Sequence, residues 1–145
     1  MSPDELVGAW TLERFRIRFD DGRDDLFPFG PDATGLLMYS ASGRMSAVLS
    51  RAERDTIEAS RLETASRAPE ADKARAFDSY LSYAGTWSID GDDVVHTVTH
   101  ALSPNLVGQD NRRRARLNAD VLTLGYRLVA RSGVARDYEL TWRRA

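Results

Sequence analysis

The 145-residue sequence contains no cysteine, which excludes disulfides, thiolate metal sites and cysteine nucleophiles. No apolar run approaches the ~18 residues of a membrane-spanning helix, and the N-terminal MSPDELVGAW lacks the basic and apolar segments of a signal peptide. An excess of basic charge is also absent, since the net charge is -2 at pH 7. Neither nucleic acid nor a membrane is therefore an expected partner. We expect a cytoplasmic protein in which residues 1–145 form one domain.

The motifs of several enzyme classes are missing as well. The sequence has no serine–histidine–acid spacing, no G-x-S-x-G, no P-loop and no G-x-G-x-x-G. Hydrolase triads and nucleotide sites therefore have no support, and no cofactor is expected.

Most of the chain consists of short segments in which apolar and polar residues alternate, separated by turn signals. A period of two indicates half-buried β-strands. Short strands with tight connections are typical of an up-and-down barrel or a sandwich. The predicted strands cover residues 6–19, 35–40, 44–50, 83–89, 94–101, 110–117, 121–129 and 134–144.

The first of these segments changes phase along its length. Its apolar residues alternate through Trp10 and Leu12, and then resume one residue out of step at Phe15 and Ile17. A β-bulge produces such a shift and helps a long strand to bend around a barrel. We therefore predict a bulge between Leu12 and Phe15.

Residues 51–82 interrupt the strand pattern. Pro69 and the acidic residues that follow it predict the start of a helix. The more polar residues 51–68 predict a mobile helical loop or lid. Apolar residues at helical spacing predict a stripe that packs on the body of the domain, and they are Ala74, Phe77, Tyr80 and Leu81.

The two histidines, His96 and His100, lie in VVHTVTH, whose β-branched residues favour a strand. Four residues along a strand span about 13 Å at a rise of about 3.3 Å per residue, so the two side chains cannot share one metal ion. No metal site is predicted. Alternation puts both histidines on the face of the valines, and His100 is a candidate ligand contact. If that face points inward, His96 lines the interior, where a neutral imidazole can accept or donate a proton; otherwise it is structural or solvated.

A cluster of arginines follows in NRRRAR. Arg112, Arg114 and Arg116 share one strand face, which we expect to be solvated and paired with neighbouring acids. Arg113 lies on the opposite, apolar face and should enter the barrel or its rim. A buried guanidinium is costly unless it is paired, so Arg113 needs a carboxylate, a histidine-linked network, or an anionic or carbonyl ligand.

An ordered set of short motifs runs along nearly the whole chain and is weakest over residues 51–78. The motifs are Gly8-Ala9-Trp10, Pro28-Phe29-Gly30, Gly35-Leu36-Leu37-Met38-Tyr39, Gly43-Arg44-Met45-Ser46, Tyr83-Ala84-Gly85, His96-Thr97-Val98, Pro104-Asn105, Arg113 and Leu140-Thr141-Trp142-Arg143-Arg144. The set resembles the bacterial and fungal lipocalin-like domain family. The resemblance implies an all-β, antiparallel lipocalin-like barrel of about eight strands, with a ligand-sized interior and one helical insertion after the third strand. Members of that family are often encoded near secondary-metabolism genes.

Gly8-x-Trp10 is also similar to the first-strand signature of lipocalins at large. In that signature the tryptophan closes the barrel floor and an arginine from the last strand lies across it. Arg144 is the matching arginine, because it has the parity of Trp142 and a guanidinium can stack on an indole. We expect Trp10 and Arg144 to be structural residues.

Aromatic residues share a parity on several other strands. Such residues form either a filled core or the walls of an apolar pocket with a few polar groups. The predicted ligand-binding residues are Tyr39, Tyr83, Trp87, His100, Tyr138 and Trp142, and the predicted polar pair is His96 and Arg113.

Three functions are compatible with these features. The first is binding of a small, largely apolar molecule with a carbonyl or acidic group. The second is a cofactor-free cyclase, isomerase or dehydratase of natural-product biosynthesis, with His96 as the acid–base group and Arg113 as the oxyanion stabiliser. The third is a structural domain with a filled barrel. A homodimer is compatible with the sequence.

Overall fold

The computed structural model describes residues 1–57 and 67–145. Eight antiparallel strands follow one another in chain order and close into a barrel, in which the last strand pairs with the first. This confirms the predicted fold class, including the helical insertion after the third strand. The strands are β1 (Gly8–Phe19), β2 (Thr34–Tyr39), β3 (Arg44–Ser50), β4 (Tyr80–Asp90), β5 (Asp93–Ala101), β6 (Asp110–Asn118), β7 (Val121–Val129) and β8 (Ala135–Arg144); the helices are α1 (Pro3–Leu6), α2 (Glu70–Asp78) and a 3-10 turn at Pro104–Leu106.

Strand β2 shows how alternation places side chains inside and outside the barrel. Gly35, Leu37 and Tyr39 are buried, whereas Leu36 and Met38 between them are about half exposed. All five positions are apolar or small, so hydrophobicity alone does not decide the face. The two-residue period of the pleat decides it.

The predicted bulge in β1 is confirmed. The pairing of β1 with β8 shifts between Leu12 and Arg14, so Glu13 is the extra residue. Leu12 and Ile17 on either side of the bulge are both buried. The shift keeps the apolar residues inside while the strand bends.

Helix α2 begins where the sequence predicts, but its predicted apolar stripe is wrong. Phe77 is 46% exposed, and no residue of the helix is buried. Tyr80 and Leu81 belong to β4, where they pair with Ser50 and Leu49 of β3. In β4 their backbone groups pair with those of β3, so the chain continues as a strand instead of another helical turn. In the lid predicted over 51–68, residues 58–66 lie outside the described part, and residues 51–57 contain no helix.

One end of the barrel, here called the floor, is closed by α1, Trp10 and Arg144. The Trp10 indole donates to the Leu6 carbonyl at 2.9 Å. The Arg144 guanidinium lies 4.2 Å from the centroid of the Trp10 ring and donates to the carbonyls of Glu5 at 2.6 Å and Val7 at 3.3 Å. The structural role predicted for this pair is confirmed. The opposite end, the loop end, carries the loop 20–33, α2 and the 3-10 turn.

Candidate functional site

His96 occupies the centre of the barrel wall. Val94, His96 and Val98 are all at most 1% exposed, which places the valine–histidine face of β5 inside. Every other buried side chain of the described residues is aliphatic or aromatic. A polar group in such a place needs hydrogen-bond partners, because losing water without replacement costs free energy.

His100 does not share that face, and the prediction that it does is wrong. The pairing of β4 with β5 shifts, so that Gly85 pairs with Val98 and Ala84 with His100, which makes Thr99 an extra residue. The bulge turns the exposed His100 to the outside, where its Nδ1 lies 2.9 Å from the Thr99 hydroxyl. His100 therefore does not line the interior.

Two tyrosines bracket the imidazole of His96. The Tyr39 hydroxyl lies 2.6 Å from Nε2, and the Tyr83 hydroxyl lies 2.9 Å from Nδ1. Burial, together with the positive charge of Arg113, lowers the pKa of His96 from 6.5 to about 3. Burial raises the pKa of Tyr83 to about 12 and that of Tyr39 well above its usual value. All three side chains are therefore neutral near pH 7.

The neutral imidazole fixes the direction of these two hydrogen bonds. It has one N–H and one lone pair, so one hydroxyl must donate and the other must accept. Tyr39 is 2% exposed, and its hydroxyl has no other partner among the described residues. If Tyr39 accepted, its own proton would be buried without an acceptor, at a cost of about 1–3 kcal/mol. The favourable arrangement has Tyr39 donating to Nε2 and Nδ1–H donating to Tyr83, whose proton remains free.

Arg113 faces the interior from β6, as the parity of NRRRAR predicts. Its guanidinium carbon lies 4.1 Å from the centroid of the Tyr126 ring, which is stacked on Tyr138 at 4.4 Å and 11°. One nitrogen donates to the Arg112 carbonyl at 2.9 Å. No carboxylate pairs with Arg113 in residues 1–57 and 67–145. We call Arg113, Tyr126 and Tyr138 the aromatic stack.

The remaining arginines of this strand behave as predicted for a solvated face. Arg112 pairs with Asp90 at 2.8 Å, and Arg114 pairs with Asp92 at 2.9 Å. Both arginines are more than half exposed, so these pairs contribute little to stability. Arg113 thus differs from its neighbours in having an aromatic partner in place of an acid.

A small cavity of about 20 Å³ lies at the centre of the barrel. That volume holds one water-sized group. The indole nitrogen of Trp142, a residue only 2% exposed, has no acceptor among the described residues. The lining residues are Leu37, Ala47, Leu49, Tyr83, His96, Arg113, Leu124, Leu140 and Trp142.

The structure divides the predicted site residues other than the outward-facing His100 into two groups. Tyr83, His96, Arg113 and Trp142 converge on the cavity. Tyr39 and Trp87 lie behind them, with ring centroids 4.7 Å apart and the Trp87 indole donating to the Ser40 carbonyl, and Tyr138 lies in the aromatic stack. Parity grouped these seven residues correctly, and it failed at His100. It could not distinguish cavity walls from core, because that depends on position along the barrel axis.

Larger concave regions lie on the outside of the barrel. A cleft of about 400 Å³ separates residues 51–57 from α2, and its walls are mostly charged. No motif or spacing in the sequence predicted this cleft. In residues 1–57 and 67–145, no cluster of three or more potential ligands is arranged to hold a metal ion.

No helix in the described parts of the chain is long and apolar enough to span a membrane.

Comparison with known proteins gives one match. The sequence model of a family described as lipocalin-like domain matches residues 7–145. Neither the curated proteins nor the solved structures contain a significant match.

Proposed function

The chain belongs to the lipocalin-like domain family, and we propose that it binds a small, largely apolar molecule inside the barrel through a carbonyl or acidic group. The observation that carries this proposal is the convergence of Tyr83, Arg113 and Trp142, together with His96, on one cavity whose other lining residues are apolar. A ligand oxygen in that cavity would accept hydrogen bonds from these side chains.

The energetics of the interior support binding over a purely structural barrel. A buried donor without an acceptor costs about 1–3 kcal/mol, and the Trp142 indole N–H is such a donor. Arg113 lines the same cavity without a carboxylate partner among the described residues. A barrel that served only as a scaffold would be more stable with apolar side chains at both positions. A ligand oxygen compensates both groups at once.

The size of the cavity determines how a ligand must enter. Small-molecule sites usually measure about 300–1,000 Å³, so 20 Å³ accommodates only the polar group of a ligand. Tyr83, Arg113 and Leu140 are the lining residues that are partly exposed. Because the long Arg113 side chain is partly exposed and rests on Tyr126, we propose that a ligand displaces the aromatic stack and lays its apolar body against these rings.

A fluorescent ketone tests this function. Prodan is a neutral naphthyl ketone whose emission shifts to the blue in an apolar site. We expect saturable binding, and we expect Ala47→Leu, which fills the cavity, to weaken it about tenfold, or roughly 1.4 kcal/mol. Ser46→Leu is the matched control, because Ser46 precedes Ala47 and points outward. Absence of saturable binding, or equal effects of the two variants, would favour the filled structural barrel.

Catalysis by a cyclase, isomerase or dehydratase is the second candidate. The convergent donors favour it, since such donors stabilise an oxyanion. His96 is less suited to its predicted role, because both its nitrogens are bound by hydroxyls and a base with a pKa of about 3 is weak near neutral pH. With a substrate in hand, Arg113→Ala and His96→Ala that lose turnover while keeping affinity would favour catalysis over binding.

A further inference from the structure

We propose that the group bound in the central cavity is an anionic oxygen, such as a carboxylate or an enolate, held by the Tyr83 hydroxyl, the Arg113 guanidinium and the Trp142 indole. This inference rests on the proposed function and deepens it. The proposed function allows the ligand a carbonyl or an acidic group, and this inference specifies a negatively charged one.

The first argument is the balance of donors and acceptors. Trp142 contributes an indole N–H without an acceptor among the described residues. Tyr83 contributes its hydroxyl proton, because it accepts from Nδ1 of His96. Arg113 uses one N–H on a carbonyl and retains others. His96 has neither nitrogen to spare. The polar wall of the cavity therefore offers donors and no free acceptor.

The direction of the Tyr83 proton depends on Tyr39. Tyr39 is buried behind His96, and its hydroxyl proton has an acceptor only if the hydroxyl donates to Nε2. That choice places the imidazole proton on Nδ1, opposite Tyr83. Tyr39 thus acts as a positioning residue, and its effect reaches the cavity through the tautomer of His96.

The second argument is charge. No aspartate or glutamate lines the cavity in the described residues, whereas Arg113 does. The acids that contact β5 and β6 bind outward-facing partners. Asp90 at the end of β4 pairs with Arg112, Asp92 in the following turn pairs with Arg114, and Asp110 accepts from Thr97. The positive charge of Arg113 lowers the pKa of His96, so it acts inside the barrel. A neutral carbonyl would leave this charge uncompensated, while an anion forms a charge-assisted hydrogen bond with it.

Acetate and acetamide provide a matched pair of probes. They have nearly the same shape and differ in charge, and either can place one oxygen atom in the cavity, which holds a single water-sized group. The indole N–H signal of Trp142 in a nitrogen–proton correlation spectrum, assigned with Trp142→Phe, reports occupancy directly. We expect acetate to shift this signal with at least about tenfold higher affinity than acetamide.

Variants assign the preference to particular donors. Arg113→Gln should remove the preference for acetate, and Arg113→Lys should keep part of it because the charge remains. Arg116→Gln is the matched control, since Arg116 lies three residues along the same strand and is exposed on the outside. Tyr83→Phe should weaken acetate binding about fivefold.

The outcomes separate the two proposals. Equal affinity for the two probes, no response to acetate, or equal effects of Arg113→Gln and Arg116→Gln would overturn the anionic assignment. If Prodan still binds in that case, the site takes a neutral carbonyl group and the proposed function stands. If Prodan fails to bind as well, both proposals fall.

Discussion

At the scale of single residues, the central feature is a histidine kept neutral by two hydroxyls that match its two nitrogens. Tyr39 and Tyr83 bind the imidazole at 2.6 and 2.9 Å in a part of the barrel that water does not reach. Charging His96 would place a cation beside Arg113 in a medium of low dielectric. The folded protein therefore resists protonation of this residue far below the usual pKa of histidine.

This resistance makes stability dependent on pH. The pKa of His96 falls from 6.5 to about 3 on folding. Between these values the unfolded chain binds a proton that the folded chain does not, so the contribution is present above pH 6.5 and is lost as the pH falls. The slope is about 1.4 kcal/mol per pH unit, or about 2 kcal/mol between pH 6.5 and pH 5. Urea unfolding at the two pH values should show this loss for the wild type and a smaller loss for His96→Gln.

His100→Gln is the control for this measurement, because the second histidine lies exposed on the outer face of β5. It should lose as much stability as the wild type over the same interval. If His96→Gln shows the same pH dependence as the wild type, His96 is not held neutral by the fold.

Individual site residues were predictable to the extent that parity determines them. Parity grouped Arg113 and Trp142 with inward-facing residues and placed His96 on the face of the valines, without deciding whether that face points inward. The hydrogen bonds of Tyr39 and Tyr83 to His96 join residues 57 and 13 positions apart, and no local pattern records such contacts. The sequence could not predict that the indole N–H of Trp142 lacks an acceptor either, because this depends on which groups of the neighbouring strands surround it.

At the scale of elements, two bulges decide which side chains reach the interior. The bulge at Glu13 is visible in the sequence because apolar residues on both sides record the change of phase. The bulge at Thr99 is not, because His100 and Ala101 after it suit either face. The prediction that the helical stripe extends to Tyr80 and Leu81 was wrong for a related reason, since these two residues fit both a helical stripe and a strand. Periodicity therefore predicts the type and phase of an element only where apolar residues on one face alternate with clearly polar residues on the other.

The bulge in β5 lies against a glycine that nothing larger could replace. A Cβ on Gly85 would lie 1.9 Å from the Thr97 carbonyl oxygen, well inside contact distance. We expect Gly85→Ala to cost more than about 3 kcal/mol of unfolding free energy, because the backbone of two paired strands must separate. Urea unfolding measures this cost.

Gly125→Ala is the matched control, since its Cβ would lie 3.0 Å from the Tyr138 carbonyl oxygen in a comparable strand. It should cost at most about 1 kcal/mol. Equal losses of unfolding free energy for the two alanine variants would show that the strands around Thr99 can separate at little cost, so that the bulge does not require glycine at position 85.

At the scale of the whole molecule, the contacts that stabilise the floor and the side chains proposed to bind a ligand lie in different regions of the barrel. The floor contains α1, Trp10 and Arg144, which are joined by side-chain hydrogen bonds to the backbone carbonyls of Glu5 and Leu6 and by stacking. The cavity and the aromatic stack involve other side chains, of which Tyr83 and Arg113 are partly exposed. A closed barrel allows this division because the strand ladder, rather than the interior, holds its two ends together.

The division predicts that damage to the floor lowers stability without changing ligand affinity. Arg144→Ala removes the stacking on Trp10 and two hydrogen bonds to carbonyls, and should cost about 2 kcal/mol. Arg143→Ala, its neighbour on the outer face, removes only an exposed ion pair with Glu13 and should cost less than about 1 kcal/mol. Prodan affinity should stay within about twofold for both variants, while urea unfolding separates them. A large loss of affinity in Arg144→Ala would mean that the floor and the cavity are coupled through the barrel, because the guanidinium itself does not line the cavity.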